Sequence, residues 1–262
     1  MAHQARKRFG QNFLHDPNVI QNIINLIHPR PDEHLVEIGP GQGAMTRQLV
    51  SSCKKFDAIE LDRDLIPVLQ TEFGHLPQFE LHQGDALKFP FCDLANNDKL
   101  RVTGNLPYNI STPLLFHLMD HLHCIQDMHF MLQKEVVVRI TAQPGDKLYG
   151  RLGIMLGYFC DSENLMTIGP GAFRPAPKVD SAIVRLTPWS SLPAEAENLA
   201  DLNRVVTQAF SQRRKTLRNS MKNLLDIDEI TQLGIDPSIR PEQLALQDFV
   251  NLANQLHNKQ AK

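Results

Sequence analysis

Apolar positions along the first half of the chain follow two alternating periods. Val19, Ile20, Ile23, Ile24 and Ile27 recur every three to four residues behind Asp16-Pro17, the spacing of one helix face entered through an Asp cap and an early proline. The apolar run His34–Ile38 ends at Gly39-Pro40-Gly41-Gln42-Gly43 and predicts a strand opening into a tight turn. A helix over 44–51, a strand over 56–61 and a helix over 64–73 complete a β-α-β unit. Strands over 79–82 and 100–103 follow, then a strand near 128–132 flanked by helices at 112–121 and 134–141. Late strands at 165–168 and 181–186 close the sheet, one of them antiparallel. Beyond Thr187-Pro188-Trp189-Ser190-Ser191-Leu192-Pro193 only helical periodicity remains. The expected architecture is an α/β sheet with helices on both faces over residues 1–188, followed by a small all-helical domain over 193–262.

Length and composition agree with this division. A chain of 262 residues suffices for one α/β core and a smaller appended domain. With 42% hydrophobic and 21% charged residues it is neither disordered nor membrane-like, and no run approaches the roughly 20 apolar residues of a membrane span. The basic N-terminus leads into polar residues and lacks the apolar centre of a secretory signal, which predicts a cytoplasmic protein. Cys53, Cys92, Cys124 and Cys160 are scattered without a Cys-x-x-Cys pair, so they are expected to pack in the core rather than to form disulfides or bind zinc. The eleven histidines show no metal-ligand spacing, and no metal is expected.

Charge changes the picture locally. The formal net charge is only −2, yet residues 202–225 carry six basic side chains and no acidic one, and Arg6, Lys7 and Arg8 form a basic arm. Lys215, Arg218 and Lys222 share one helical face, with Arg213 and Arg214 beside them, while Val206, Phe210, Leu217, Met221 and Leu224 mark an apolar stripe. The cations read either as a solvated face or as a phosphate-contacting surface; the lack of any carboxylate among them favours RNA binding.

The chemistry concentrates at predicted strand ends. In Asn105-Leu106-Pro107-Tyr108, the Asn105 side-chain oxygen and the Leu106 carbonyl are two acceptors that Pro107 helps to converge on one amine. Tyr108 adds a face on which a base can stack. The motif suits group transfer to a nucleobase. The turn Gly39-x-Gly41-x-Gly43 lets backbone approach a ligand, although such turns serve nicotinamide, flavin and methyl-donor cofactors alike. Glu60, about 20 residues on, is placed to accept from ribose hydroxyls or is merely solvated. Asp85 is placed to accept from an adenine amine or to cap the next segment.

Taken with Lys7-Arg8-Phe9-Gly10-Gln11-Asn12-Phe13-Leu14, Glu60-Leu61-Asp62, Gly84-Asp85-Ala86, the Phe173-to-Ser181 loop and Phe210-Ser211-Gln212-Arg213-Arg214-Lys215-Thr216-Leu217-Arg218-Asn219, these motifs resemble the S-adenosylmethionine-dependent ribosomal RNA adenine dimethyltransferases of the small-subunit (KsgA) type. The resemblance spans nearly the whole chain. It implies a Rossmann-like class I methyltransferase sheet, with Asn12 and Leu14 folding over S-adenosyl-L-methionine, Gly39 and Gly41 approaching its methionine part, Glu60 binding ribose and Asp85 binding adenine. It further implies that Asn105 bridges donor and substrate, and that Tyr108 and Phe173 sandwich a flipped adenine. The implied substrate is 16S ribosomal RNA within an immature small ribosomal subunit, where two adjacent adenosines near the 3′ end are dimethylated by a monomeric enzyme. Three other readings remain beside it. An Erm-type enzyme acting on large-subunit RNA is disfavoured by the Phe210-to-Asn219 segment, a non-catalytic assembly factor by the intact Asn105-to-Tyr108 motif, and a nicotinamide oxidoreductase by the glycine spacing.

Overall fold

After a two-residue strand, β1 (Phe13–Leu14), the isoleucine period folds as α1 (Pro17–Ile27) and buries Ile20, Ile23, Ile24 and Ile27. The Asp16 carboxylate accepts from the N–H of Asn18 at 2.9 Å and of Val19 at 3.1 Å, satisfying donors that the first helical turn leaves open. The computed structural model describes residues 12–96, 98–212 and 214–261. The basic arm Arg6, Lys7 and Arg8, the segment through Gln11, and Arg213 lie outside the described residues.

By its packing the chain forms two compact units, one taking the chain through Val137 together with Ser162–Pro188, the other Val138–Asp161 with Trp189–Lys262. In the first unit β2 (His34–Ile38), β3 (Lys55–Glu60), β4 (Phe79–Gln83), β5 (Leu100–Asn105) and β6 (Ile125–Gln133) run parallel, in spatial order β4-β3-β2-β5-β6. The order reverses after β2, so the crevice beside β2 and β5 is the topological switch point at which open α/β sheets take ligands. Three helices connect these strands: α2 (Thr46–Leu49), which continues as a short 3-10 turn, α3 (Ile66–Phe73) and α4 (Ser111–Met119). The Lys134–Thr141 helix, α5, follows β6.

β7 (Cys160–Ile168) and β9 (Ser181–Pro188) complete a seven-stranded sheet, with β9 antiparallel to β6. Between them β8 (Phe173–Arg174) pairs back onto β1, Leu14 opposite Phe173. The expected antiparallel closure is thus present, and the small β1-β8 ladder is an addition that two-residue strands do not announce in sequence.

Away from the C-terminal strand ends, Asp57 and Arg101 are buried in this sheet with their partners. Asp57 lies between the imidazoles of His34 and His82, the latter at 2.6 Å. Burial alone pushes its carboxyl up, but these bonds and the Lys55 charge outweigh it and hold Asp57 well below the usual carboxylate range. Arg101 donates to Asp127, to Glu33 at 2.7 Å and to the carbonyls of Ile27 and His28, tying β5 to the end of α1. Cys92 and Cys124, expected to pack as free thiols, are joined by a disulfide with their Cα atoms 5.6 Å apart, while Cys53 and Cys160 remain thiols. A separation of 32 residues hid the pairing; the two cysteines meet because parallel strands carry the 3-10 turns Phe91–Leu94 and Leu122–Cys124 to the same end of the sheet.

The second unit is helical: α6 (Arg151–Phe159), α7 (Leu199–Ala209), α8 (Leu217–Met221), α9 (Ile227–Gln232) and α10 (Leu246–Gln260). α7 packs along α10, with Leu202, Val205 and Val206 buried on one side and Phe249, Leu252 and Leu256 on the other, and Asp201 meets His257 at 2.8 Å. Two departures from the sequence reading arise here. The expected first domain over 1–188 includes residues 138–161, which instead pack with the helical unit because α6 rests on α7 and α10. And Lys215, Arg218 and Lys222 do not share one long helix: α7 ends at Ala209, Thr216 is extended, and α8 is only five residues long, so Lys215 precedes it and Lys222 caps it. No helix among the described residues is long and apolar enough to cross a membrane.

Candidate active site

Parallel strands bring their C-terminal ends to one edge of the sheet. Here β2 opens into the glycine turn, β3 ends on Glu60, β4 runs out toward Gly84-Asp85, and β5 ends on Asn105. A cavity at these ends is bordered by Asn12, Leu14, Gly39, Gly41, Glu60, Asn105, Leu106 and Tyr108, eight of the residues singled out in the sequence.

The glycine turn is shaped by left-handed backbone, with φ of +67° at Gly39 and +60° at Gly41. A Cβ at Gly39 would meet nothing within 4 Å, so open space lies against the chain there. At Gly41 it would stand 3.2 Å from the Phe13 ring. The second glycine therefore also seats β1 over the turn.

Glu60 is buried, and its two oxygens accept from Gly41 N at 3.2 Å and Asp62 N at 2.8 Å. Burial raises its pKa, against the lowering effect of those backbone donors. A carboxylate has about four acceptor sites, so capacity remains for hydroxyl donors. Glu37 also lines the cavity, next to last on β2 after the apolar Leu35 and Val36. Its carboxylate accepts from Thr46 Oγ1 at 2.6 Å, and burial, with Glu60 nearby, pushes its pKa up to about 7. A lone carboxylate inside the strand His34-Leu35-Val36-Glu37-Ile38 is the sequence signal that marks Glu37.

Asn105 Nδ2 donates to the main-chain oxygen of Asn12 at 2.9 Å. That partner is acceptor-only, so the amide orientation is fixed and Oδ1 is the acceptor left over. Leu106 N donates to Met131 O at 3.1 Å, which anchors the start of the loop to β6. Tyr108 is half-buried, and its hydroxyl meets Ser181 Oγ at 2.9 Å.

Two predicted residues stand apart from the cavity. Asp85 does not border it, although Gly84 and Ala86 do; its Oδ1 accepts from Leu87 N at 3.0 Å and closes the turn after β4. Phe173 is 2% exposed, packed in the core beneath β1 with Leu14 and Ile168. A ring so buried presents no stacking face, because pairing with β1 turns it inward. In the helical unit Arg214, Lys215, Arg218 and Lys222 are all exposed. Among the described residues two sets of metal-capable donors converge, Cys92/His123/Cys124 and Asp57/Glu80/His82, and neither borders the cavity. The first has its sulfurs bonded to each other, and the second already has Asp57 bound by two imidazoles.

The family model described as "Ribosomal RNA adenine dimethylase" matches residues 2–258. "Ribosomal RNA small subunit methyltransferase A" of Pseudomonas aeruginosa is 60% identical over 255 residues, covering 97% of this chain and 95% of that protein. Among solved structures, a dimethyladenosine transferase from Plasmodium falciparum has a TM-score of 0.81 at 26% identity and covers 95% of this chain and 98% of its own. The 23S rRNA methyltransferase ErmE, with a TM-score of 0.73 at 23% identity over 94% of this chain and 100% of its own, shares the fold.

Proposed function

The chain belongs to the ribosomal RNA adenine dimethylase family, and we propose that it transfers methyl groups from S-adenosyl-L-methionine to N6 of two adjacent adenosines near the 3′ end of 16S ribosomal RNA. The observation that supports this most is the meeting, in one cavity, of a glycine turn with a carboxylate beside it and the acceptor-bearing Asn105 and Leu106 with the aromatic Tyr108. The cavity fits the donor: open space lies against Gly39, and Glu60 offers a fixed carboxylate to ribose hydroxyls. When bound, the donor supplies a methyl group on an electron-poor sulfonium.

The protein's own residues perform the rest. An adenine N6 lone pair is delocalised into the ring and attacks poorly. Asn105 Oδ1 and the Leu106 carbonyl accept its two N–H bonds, which favours a pyramidal nitrogen with its lone pair aimed at the methyl group. Tyr108 holds the base by stacking on one face. Acceleration comes from orientation and proximity, worth several kcal/mol in near-attack geometry. Asn12 and Leu14 cover the donor, and Asp85, between the cavity-lining Gly84 and Ala86, reads its adenine with the carboxylate oxygen that does not accept from Leu87 N; Phe173 supports β1 behind the base and reaches it only by turning outward. Arg213, Arg214, Lys215, Arg218 and Lys222 dock RNA phosphates. No step calls for a metal.

The enzyme works as a monomer in the cytoplasm on an immature small ribosomal subunit. Incubation with radiolabelled donor and unmethylated small subunits, followed by nucleoside mass spectrometry, is expected to yield N6,N6-dimethyladenosine at adjacent sites. Label confined to large-subunit RNA, or no transfer despite donor binding, overturns the proposal.

A further inference from the structure

The two transfers to one adenine do not hold the base equally. Adenine N6 begins with two N–H donors, one for Asn105 Oδ1 and one for the Leu106 carbonyl. In each transfer N6 forms a C–N bond as the donor's C–S bond breaks, the electron pair passing to sulfur and one N–H proton to water. The monomethylated amine therefore returns to the site with a single N–H. One of the two acceptors loses its partner, and retention of the base falls more heavily on the Tyr108 ring.

That ring is held by a bond outside the Asn105-to-Tyr108 loop. The Tyr108 hydroxyl and Ser181 Oγ are 2.9 Å apart, and Ser181 is fully buried at the first position of β9, opposite Gln133 of β6. β6 is also the strand that pairs with Asn105 through Met131 and accepts the Leu106 N–H. Ring and acceptors are therefore referred to one rigid sheet. Ser181 does not border the cavity and touches the base only through Tyr108.

We propose that Ser181 is a positioning residue that fixes the Tyr108 ring and thereby sustains the second methyl transfer, so that its loss leaves the reaction stalled at N6-monomethyladenosine. This rests on the base-stacking reading of Tyr108. Ser181→Ala and Tyr108→Phe remove the same hydrogen bond from opposite ends while keeping the aromatic ring, and Ser181→Thr keeps the hydroxyl.

The test measures the ratio of monomethyl to dimethyl product at matched total transfer, alongside donor affinity by calorimetry. Both hydrogen-bond variants are expected to raise the ratio several-fold with donor affinity unchanged, the double variant to be no worse than either single one, and Ser181→Thr to restore the wild-type ratio. A general loss of folded enzyme lowers both transfers alike and leaves the ratio where it was. A normal ratio in Ser181→Ala and Tyr108→Phe beside an impaired Tyr108→Ala overturns the proposal alone. Wild-type rates in Tyr108→Ala overturn the stacking reading and the proposal with it, and additive effects in the double variant overturn the coupling of Ser181 to Tyr108.

Discussion

The side-chain nitrogen of Asn105 is bound to the main-chain oxygen of Asn12, 93 residues earlier, at 2.9 Å. The bond ties the segment over the glycine turn to the end of β5 and leaves Asn105 Oδ1 as an acceptor of defined direction. Asn105→Asp keeps the shape and an acceptor oxygen but places a carboxylate against a carbonyl. Turnover is expected to fall by ~100-fold or more, the scale of losing one aimed hydrogen-bonding group in a transition state, with the fold intact. A kcat near that of the unaltered enzyme would contradict the role given to this amide.

Glu37 makes the free protein's stability depend on pH. Its folded pKa of about 7 lies above the ordinary 4.5, so the folded state keeps the proton longer than the unfolded chain does. Stability from this group is therefore greatest below the ordinary value, declines as pH rises between the two, and levels off above the higher one. Glu37→Gln keeps the Thr46 bond and abolishes the titration. The variant is expected to be more stable than wild type at pH 8, by at most roughly 3 kcal/mol, with the gap closing toward pH 5. Urea denaturation at the two pH values checks this; a gap independent of pH contradicts it.

Arg101 is 7% exposed and serves two carboxylates and two carbonyls. Arg101→Met leaves Asp127 and Glu33 without their shared cation. A loss of about 3–5 kcal/mol is expected, read as a lower urea midpoint at unchanged slope. A shift under ~1 kcal/mol would mean that water replaces the guanidinium at little cost.

These features differ in how openly the sequence shows them. Local patterns survived folding almost unchanged: the isoleucine face of α1, the strands β2 to β5, and the placement of Glu60 and Asn105 at strand ends. What depends on distant chain meeting chain was hidden. The ladder of Leu14 with Phe173 joins two-residue strands far apart in sequence, and within it Phe173 is buried in the core. Helix α6 carries no amphipathic signal in the sequence, because Leu152, Ile154, Met155, Leu156 and Tyr158 are buried all round, and Gly153 and Gly157 read as breaks. The spacing of Lys215, Arg218 and Lys222 suits one helix, yet the chain leaves the helical course at Phe210 and re-enters it only after Thr216.

That interruption leaves the cations exposed. Arg214, Lys215, Arg218 and Lys222 have no carboxylate partner among the described residues. Replacing all four by Ala is expected to weaken RNA binding and to flatten the plot of log affinity against log salt, by up to ~0.9 for each duplex phosphate that is no longer neutralised. An unaltered salt slope would assign the cluster to solvent.

Donor and target base are expected to meet in the cavity at the ends of β2, β3 and β5. The most direct measurement is an experimental structure of the protein soaked with S-adenosylhomocysteine and adenosine. Homocysteine density is expected against Gly39 and Gly41, ribose hydroxyls on Glu60, and the free adenosine base against Tyr108 with N6 toward Asn105 Oδ1 and the Leu106 carbonyl. Density for either molecule outside this cavity, or a base directed away from Asn105, would contradict it.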